Sequence, residues 1–309
     1  MRQHTFNERN NMRPPKLILP MLSLALISLL ALPTTFVAQT KPPQRVAPAQ
    51  GGPVVLFAVK KYDAAVPVQM EPVVIISGGK YTPPPLDDEA GAKKFTDNYF
   101  RPGRTYSVIF GGGQAGNLSV VKNVEPGCVG IVAEVQAQTS VRLGGEVQAL
   151  ATGSDKLGAG DGSRRAPNEA ERAAALEVAR AVYGQRGVGA ALVNKMKTEN
   201  LTATDLDRDG KFDLVGSFQI DAGNYLMHNL FVIFEPLAGG KYKAAWNWYH
   251  KGAEGEYEDR KLVDAVDLDG DGTAEVVAEG HYYESNDYVI YKRQAGVWKP
   301  VYKGGGGGC

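Results

Sequence analysis

Asp267-Leu-Asp-Gly-Asp-Gly-Thr-Ala-Glu275 decides how this chain is read. Its first six residues follow D-x-D-x-D-G, and a carboxylate returns at the ninth place. Alternate carboxylates on a tight loop turn inward together and wrap one hard cation, and the glycine permits the positive-φ bend between them. The candidate ligands are the side chains of Asp267, Asp269, Asp271 and Glu275 and the carbonyl of Thr273. Oxygen-only ligation favours Ca²⁺ over transition metals, and a flexible loop with many ligands favours it over Mg²⁺. A bare Asp-Gly turn needs one aspartate. Crowded carboxylates about 4 Å apart repel by about 4 kcal/mol per pair at an effective dielectric near 20, and a bound cation offsets that.

The pattern occurs a second time, upstream, at Asp205-Leu-Asp-Arg-Asp-Gly-Lys-Phe-Asp213. Asp205, Asp207, Asp209 and Asp213 take the carboxylate places and Lys211 the carbonyl place. An EF-hand requires a bidentate Glu at the twelfth position, where these loops have Gly216 and Ala278. The loops therefore sit on something other than a helix pair. Each is followed by strand-like runs: Asp213–Ile220, Leu230–Phe234 and Lys241–Trp246 after the first, and Glu275–Tyr282, Tyr288–Tyr291 and Val297–Tyr302 after the second. The same order twice is an internal repeat.

Over about residues 203–303 the chain resembles the FG-GAP or VCBS-type repeat. That resemblance implies a DxDxDGxxD loop binding Ca²⁺ at the edge of a β-propeller blade. The first loop matches the family's ligand places fully; the second departs at Glu275, where the family usually has Asp. Two repeats are too few to close a propeller, which takes at least four blades.

The rest of the chain is read outward from this unit. Arg9, Arg13 and Lys16 precede an apolar run from Leu17 to Leu32 and a small-residue exit at Ala38, so residues 1–38 read as a signal peptide or an uncleaved signal anchor. Residues 39–53 are a Pro-rich linker. Residues 54–152 carry short β-branched and aromatic runs separated by Gly, Pro and Asp, as in a β-sandwich or barrel. Asp87–Asn98 adds a helical turn. Gly111, Gly113 and Gly116 satisfy G-x-G-x-x-G, but Asn117–Val124 is β-branched and opens no helix, so these glycines read as a hairpin turn rather than a dinucleotide site.

Residues 153–167 form a Gly-rich linker and residues 168–198 a helical connector. Asn168 and Glu171 make a capping-box pair, Leu176, Ala179, Val182 and Tyr183 share one helix face, and a second short helix covers Ala190–Lys197. Residues 199–303 hold the two repeats, and residues 304–309 a flexible Gly-rich tail. The expected fold class is mainly β: a sandwich or barrel, a helical connector, then two propeller-blade-like repeats.

Equal numbers of basic and acidic residues, 34 each, leave no electrostatic footprint for nucleic acid. Cys128 and Cys309 lie in no C-x-x-C pair; in an exported chain they either form one disulfide or stay as a buried and a free thiol. No G-x-S-x-G, H-E-x-x-H or P-loop pattern occurs. His228, His250 and His281 read as hydrogen-bonded histidines, with a three-histidine metal cluster as the alternative. Trp246 and Trp248 share a strand face, as do His281 and Tyr283, and such rings either stack a ligand or fill the space between sheets. The expectation is a non-enzymatic Ca²⁺-binding repeat protein, secreted, periplasmic or associated with the cell envelope. Its role is recognition, adhesion or envelope structure, with an unknown protein or glycan as partner and a membrane engaged only through an uncleaved anchor. The alternatives are an exported hydrolase with accessory repeats and a carbohydrate-binding module.

Overall fold

The computed structural model describes residues 52–124, 130–145 and 147–309. Residues 1–51, where a signal segment and most of a Pro-rich linker are expected, and Cys128 lie outside the described residues. Cys309 is disulfide-bonded. Among the described residues no helix is long and apolar enough to cross a membrane.

The expected β-class is observed, and the first unit is a barrel. It contains β1 (Val54–Lys60), β2 (Val68–Ser77), β3 (Lys80–Thr82), β4 (Thr105–Phe110), β5 (Gly113–Val124), β6 (Val132–Thr139) and β7 (Ala149–Thr152). The antiparallel order β1-β7-β4-β5-β6-β2 is closed by β1 pairing back onto β2, with β3 added outside β2. Closure removes the exposed edges that an open sheet of this size would carry. Gly111 and Gly112, at φ +64° and +77°, form the β4–β5 turn, so the glycine run is a hairpin. Helix α1 (Glu89–Tyr99), N-capped by Asp88, packs Phe95 against Phe57 in the barrel core.

Each repeat is a four-stranded antiparallel meander. The first is β8 (Lys197–Thr204), β9 (Asp213–Asp221), β10 (Met227–Pro236) and β11 (Tyr242–Gly252). The second is β12 (Glu258–Val266), β13 (Glu275–Tyr282), β14 (Ser285–Gln294) and β15 (Val297–Gly308). The strand ahead of each loop was missed in the sequence, because β8 carries Lys197, Thr198, Glu199 and Asn200 in place of an apolar alternation. Helix α2 (Glu169–Gln185) has the expected capping box, and it buries Ala175, Ala179, Val182 and Tyr183, with Leu176 at the margin. The second short helix, α3 (Ala190–Val193), stops well before Lys197.

Strand alternation feeds successive cores, because neighbouring side chains leave a sheet on opposite faces. Leu214, Phe218 and Ile220 of β9 pack under α2, while Val215 joins Phe231 and Ile233 against the second sheet. In that second sheet Val276, Ala278, Val289 and Tyr291 face the first repeat, whereas Val277, Tyr288 and Ile290 face the barrel wall at Leu56, Ala58 and Leu150. The layers therefore run helix, first repeat, second repeat, barrel. The central strands are apolar on consecutive residues because both faces are covered.

The expected Gly-rich tail and the expected Gly-rich linker are both structured. The 304–309 tail is not a flexible appendage: Gly304–Gly308 complete β15, with Gly307 opposite Asn286 and Gly308 opposite Ser285. A Cβ on Gly306 would lie 2.1 Å from the Asn286 carbonyl oxygen, and one on Gly305 2.6 Å from that of Val73. Backbone crowding, not flexibility, accounts for these glycines. The 153–167 stretch is also anchored: Ser163 N–H donates to the Gly111 carbonyl, and Arg165 exchanges backbone hydrogen bonds with Ala203.

Candidate metal centres

The first aspartate loop joins β8 to β9 and the second joins β12 to β13. Each is held by its own carboxylates. Asp205 accepts the N–H groups of Asp209 (3.1 Å) and Gly210 (3.0 Å); Asp267 accepts those of Gly270 (2.7 Å) and Gly272 (3.0 Å). At the far end Asp213 accepts from Leu206 N–H (3.2 Å) and Glu275 from Leu268 N–H (2.7 Å). Lys211 N–H bonds Asp209, and Thr273 N–H bonds Asp271. Leu206 and Leu268 are buried and pin the loops to the cores beneath. The loops also touch, since Ala274 N–H donates to the Leu206 carbonyl (2.7 Å).

Ligand oxygens of Asp205, Asp207 and Asp209 lie within 4.8 Å of one another, as do those of Asp267, Asp269 and Glu275. Asp213 stands outside the first trio and Asp271 outside the second. Asp213 is buried, and burial pushes its carboxyl up to about 7, with Asp207 and Glu235 adding repulsion against the Leu206 bond.

The residue that the third strand of each meander sets beside its loop differs in sign. Lys292 on β14 reaches into the second loop, where its Nζ lies 2.5 Å from Asp269, 2.7 Å from Asp271 and 2.8 Å from Glu275. Burial opposes its charge, but the three carboxylates more than offset this and hold its pKa above the ordinary lysine value. Glu275 is pushed up by burial, against the Lys292 bond. In the first repeat Leu214 pairs with Phe234 as Val276 pairs with Tyr291 in the second, so Glu235 holds the register place of Lys292. Glu235 forms ion pairs with Lys243 at 2.8 Å and Arg293 at 3.2 Å, and Arg293 also reaches Asp207 at 3.2 Å. The first loop thus has an extra carboxylate where the second has an ammonium. Sequence reading missed both residues, because only the strand register brings them to the loops. A cleft of about 230 Å³ lies between the loops, lined by Asp205, Asp267, Asp161 and the Gly111–Gly112 turn.

A further cluster of charged groups binds the second repeat to the barrel. Lys60 of β1 lies 2.5 Å from both Glu71 of β2 and Glu279 of β13. Glu279 also accepts from Gln148 and Asn286. His281 reaches Asp259 at 2.7 Å through Nδ1 and Glu279 at 3.2 Å through Nε2. Burial lowers the His281 pKa, but the two carboxylates outweigh it and bring it up to about 9. Beside this, Arg164 pairs with buried Asp264 at 3.2 Å, and Asp264 accepts the Gly111 N–H. With both ring nitrogens against carboxylates, the His281 imidazolium acts as a clamp.

The histidines do not gather: His228 bonds Tyr249 and His250 bonds the Glu256 carbonyl. Trp246 packs 4.3 Å from Tyr291 between the sheets, and Trp248 lies under Arg260, so the tryptophan face fills space within the protein. Tyr283 is exposed. No protein-family model, curated protein or solved structure matches the chain.

Proposed function

We propose that this is an exported, non-enzymatic β-repeat protein that binds Ca²⁺ at the first aspartate loop and serves in recognition. The observation that carries the reading is the convergence of Asp205, Asp207 and Asp209 within 4.8 Å, backed by buried Asp213 and Glu235. The cations near this loop sit at its margins, Lys211 on Asp209 and Arg293 on Asp207. Three or more carboxylates on a flexible loop suit a hard ion with oxygen ligands. The second loop has a similar backbone, but Lys292 already offsets part of its charge, so Ca²⁺ competes there with a built-in ammonium. The resemblance to FG-GAP and VCBS repeats supports this role for the loops.

Calorimetric titration of the full chain with CaCl₂ tests the reading. The expected result is one tighter site of roughly 10⁻⁴ M, which at about 1 mM free Ca²⁺ adds about 1.4 kcal/mol of stability. For a chain of this size that raises the melting temperature by about 3–6 °C relative to chelator. No heat of binding and no shift would reduce both loops to turns.

A further inference from the structure

β9 runs from the first aspartate loop to the turn that precedes β10, so the other ends of the meanders form a separate surface. There three turns surround a groove of about 600 Å³ lined by Tyr225, Tyr257, Tyr283, Met227, Asp221 and Glu254, with glycine, alanine and asparagine between them. Tyr225 comes from the β9–β10 turn, Glu254 and Tyr257 from the β11–β12 connection, and Tyr283 from the β13–β14 turn.

Tyr225 and Tyr283 are 73% and 63% exposed, so their rings contribute little to any core. Tyr225 also sits at φ +59°, directly after Asn224 at +54°. Asparagine tolerates that region, whereas an aromatic residue is strained there. A strained backbone that presents an exposed ring has no packing return within the fold, and such residues concentrate at ligand surfaces. Tyr257 is fixed from behind by its hydroxyl, which donates to Asp259 at 2.5 Å.

Charge selects the ligand. Among the described residues the charged side chains lining the groove are Asp221 and Glu254, with no lysine, arginine or histidine among them. Glu254 has no ion-pair partner among the described residues. Tyrosine faces and carboxylates both attract positive charge. The groove is larger than one ammonium head group requires, so it suits a chain that carries the cation. We propose that this groove binds a basic polypeptide segment, with lysine or arginine head groups set against the tyrosine rings and the carboxylates of Asp221 and Glu254. The site does not depend on the aspartate loops, so binding is expected in chelator as well as in Ca²⁺, and either reading can fail alone.

The test is calorimetry on the full chain in chelator at low salt, with a capped Gly-Arg-Gly-Arg-Gly peptide as probe. Gly-Glu-Gly-Glu-Gly and maltotriose are the comparisons. The arginine peptide should bind, and Tyr283→Ala and Tyr225→Asn should each weaken it about fivefold. Glu254→Gln should weaken it and flatten its salt dependence. Tyr225→Asn relieves the turn, so its melting temperature should equal or exceed that of the wild type while binding falls. A lower melting temperature with unchanged affinity would make Tyr225 structural and overturn the proposal. So would an arginine peptide that fails to bind, a glutamate peptide that binds equally, or tyrosine-dependent binding of maltotriose in its place.

Discussion

The two aspartate loops share a backbone and differ in what the third strand of each meander offers them. In the first, the place is taken by Glu235; in the second, by Lys292. Both loops gather carboxylates within 4.8 Å. Only the second has an ammonium inserted among three of them. A ligand motif therefore sets where carboxylates converge, and a residue one strand away sets whether part of their charge is already offset. The same contrast recurs along the neighbouring strand. Ser217 and Gln219 of β9 are neutral, while the matching Glu279 and His281 of β13 are charged; Glu279 grips Lys60 of the barrel, and His281 pairs with Glu279 and Asp259.

Breaking the Lys292 contact gives the largest expected change. Lys292→Met keeps the stem and removes the charge, leaving Asp269, Asp271 and Glu275 to repel one another. In chelator it should cost about 1–3 kcal/mol, below the range for fully buried pairs because Asp269 and Asp271 remain partly in solvent. The second loop should then respond to Ca²⁺, so a second binding event appears on titration. If Lys292→Met lowers the melting point equally with and without Ca²⁺, the ammonium is not standing in for an ion.

What sequence reading reached follows the range of the interactions. The loops were legible because their ligands lie within nine residues and their glycines mark the bend; Gly210 at φ +83° and Gly270 and Gly272 at +80° and +89° take it. The hairpin at Gly111 and the capping box at Asn168 are local in the same sense. Lys292 meets Asp269 through strand register, and Lys60 meets Glu279 from another part of the fold altogether. No local pattern encodes those meetings. Gly304–Gly308 misled for a related reason, since a glycine run looks alike whether it is loose or pressed against Asn286 and Val73.

The charged grip of the second repeat sharpens the comparison through pH. His281 is raised from 6.5 to about 9 in the fold. Its contribution is therefore fully present below about pH 6.5 and is lost as pH rises through about 9. Allowing for the partial exposure of the ring, about 1–2 kcal/mol should disappear between neutral and alkaline pH. His281→Gln copies the first repeat's Gln219. It should be less stable than wild type at pH 6 and should lose stability less steeply above pH 8. Parallel denaturant-midpoint curves for the two proteins from pH 6 to 10 would remove the clamp from the argument.

The smallest expected effect comes from making the first loop resemble the second. Glu235→Lys places an ammonium at the register position of Lys292, beside Asp207 and buried Asp213. In chelator two changes oppose each other. The new charge offsets carboxylate repulsion at the loop, and it meets Arg293 and Lys243, which now pair with Glu235. The net change in the absence of metal should therefore be small, within about 1 kcal/mol. In about 1 mM Ca²⁺ the variant should lack the wild-type gain of about 1.4 kcal/mol, because a cation already faces the loop. Glu235→Gln serves as the control: it removes one carboxylate without adding a cation, so part of the Ca²⁺ response should survive. Melts of the three proteins with Ca²⁺ and with chelator decide the matter. If Glu235→Lys keeps the full Ca²⁺-dependent shift, the strand-three residue does not govern the loop, and the difference between the repeats must lie within the loops themselves.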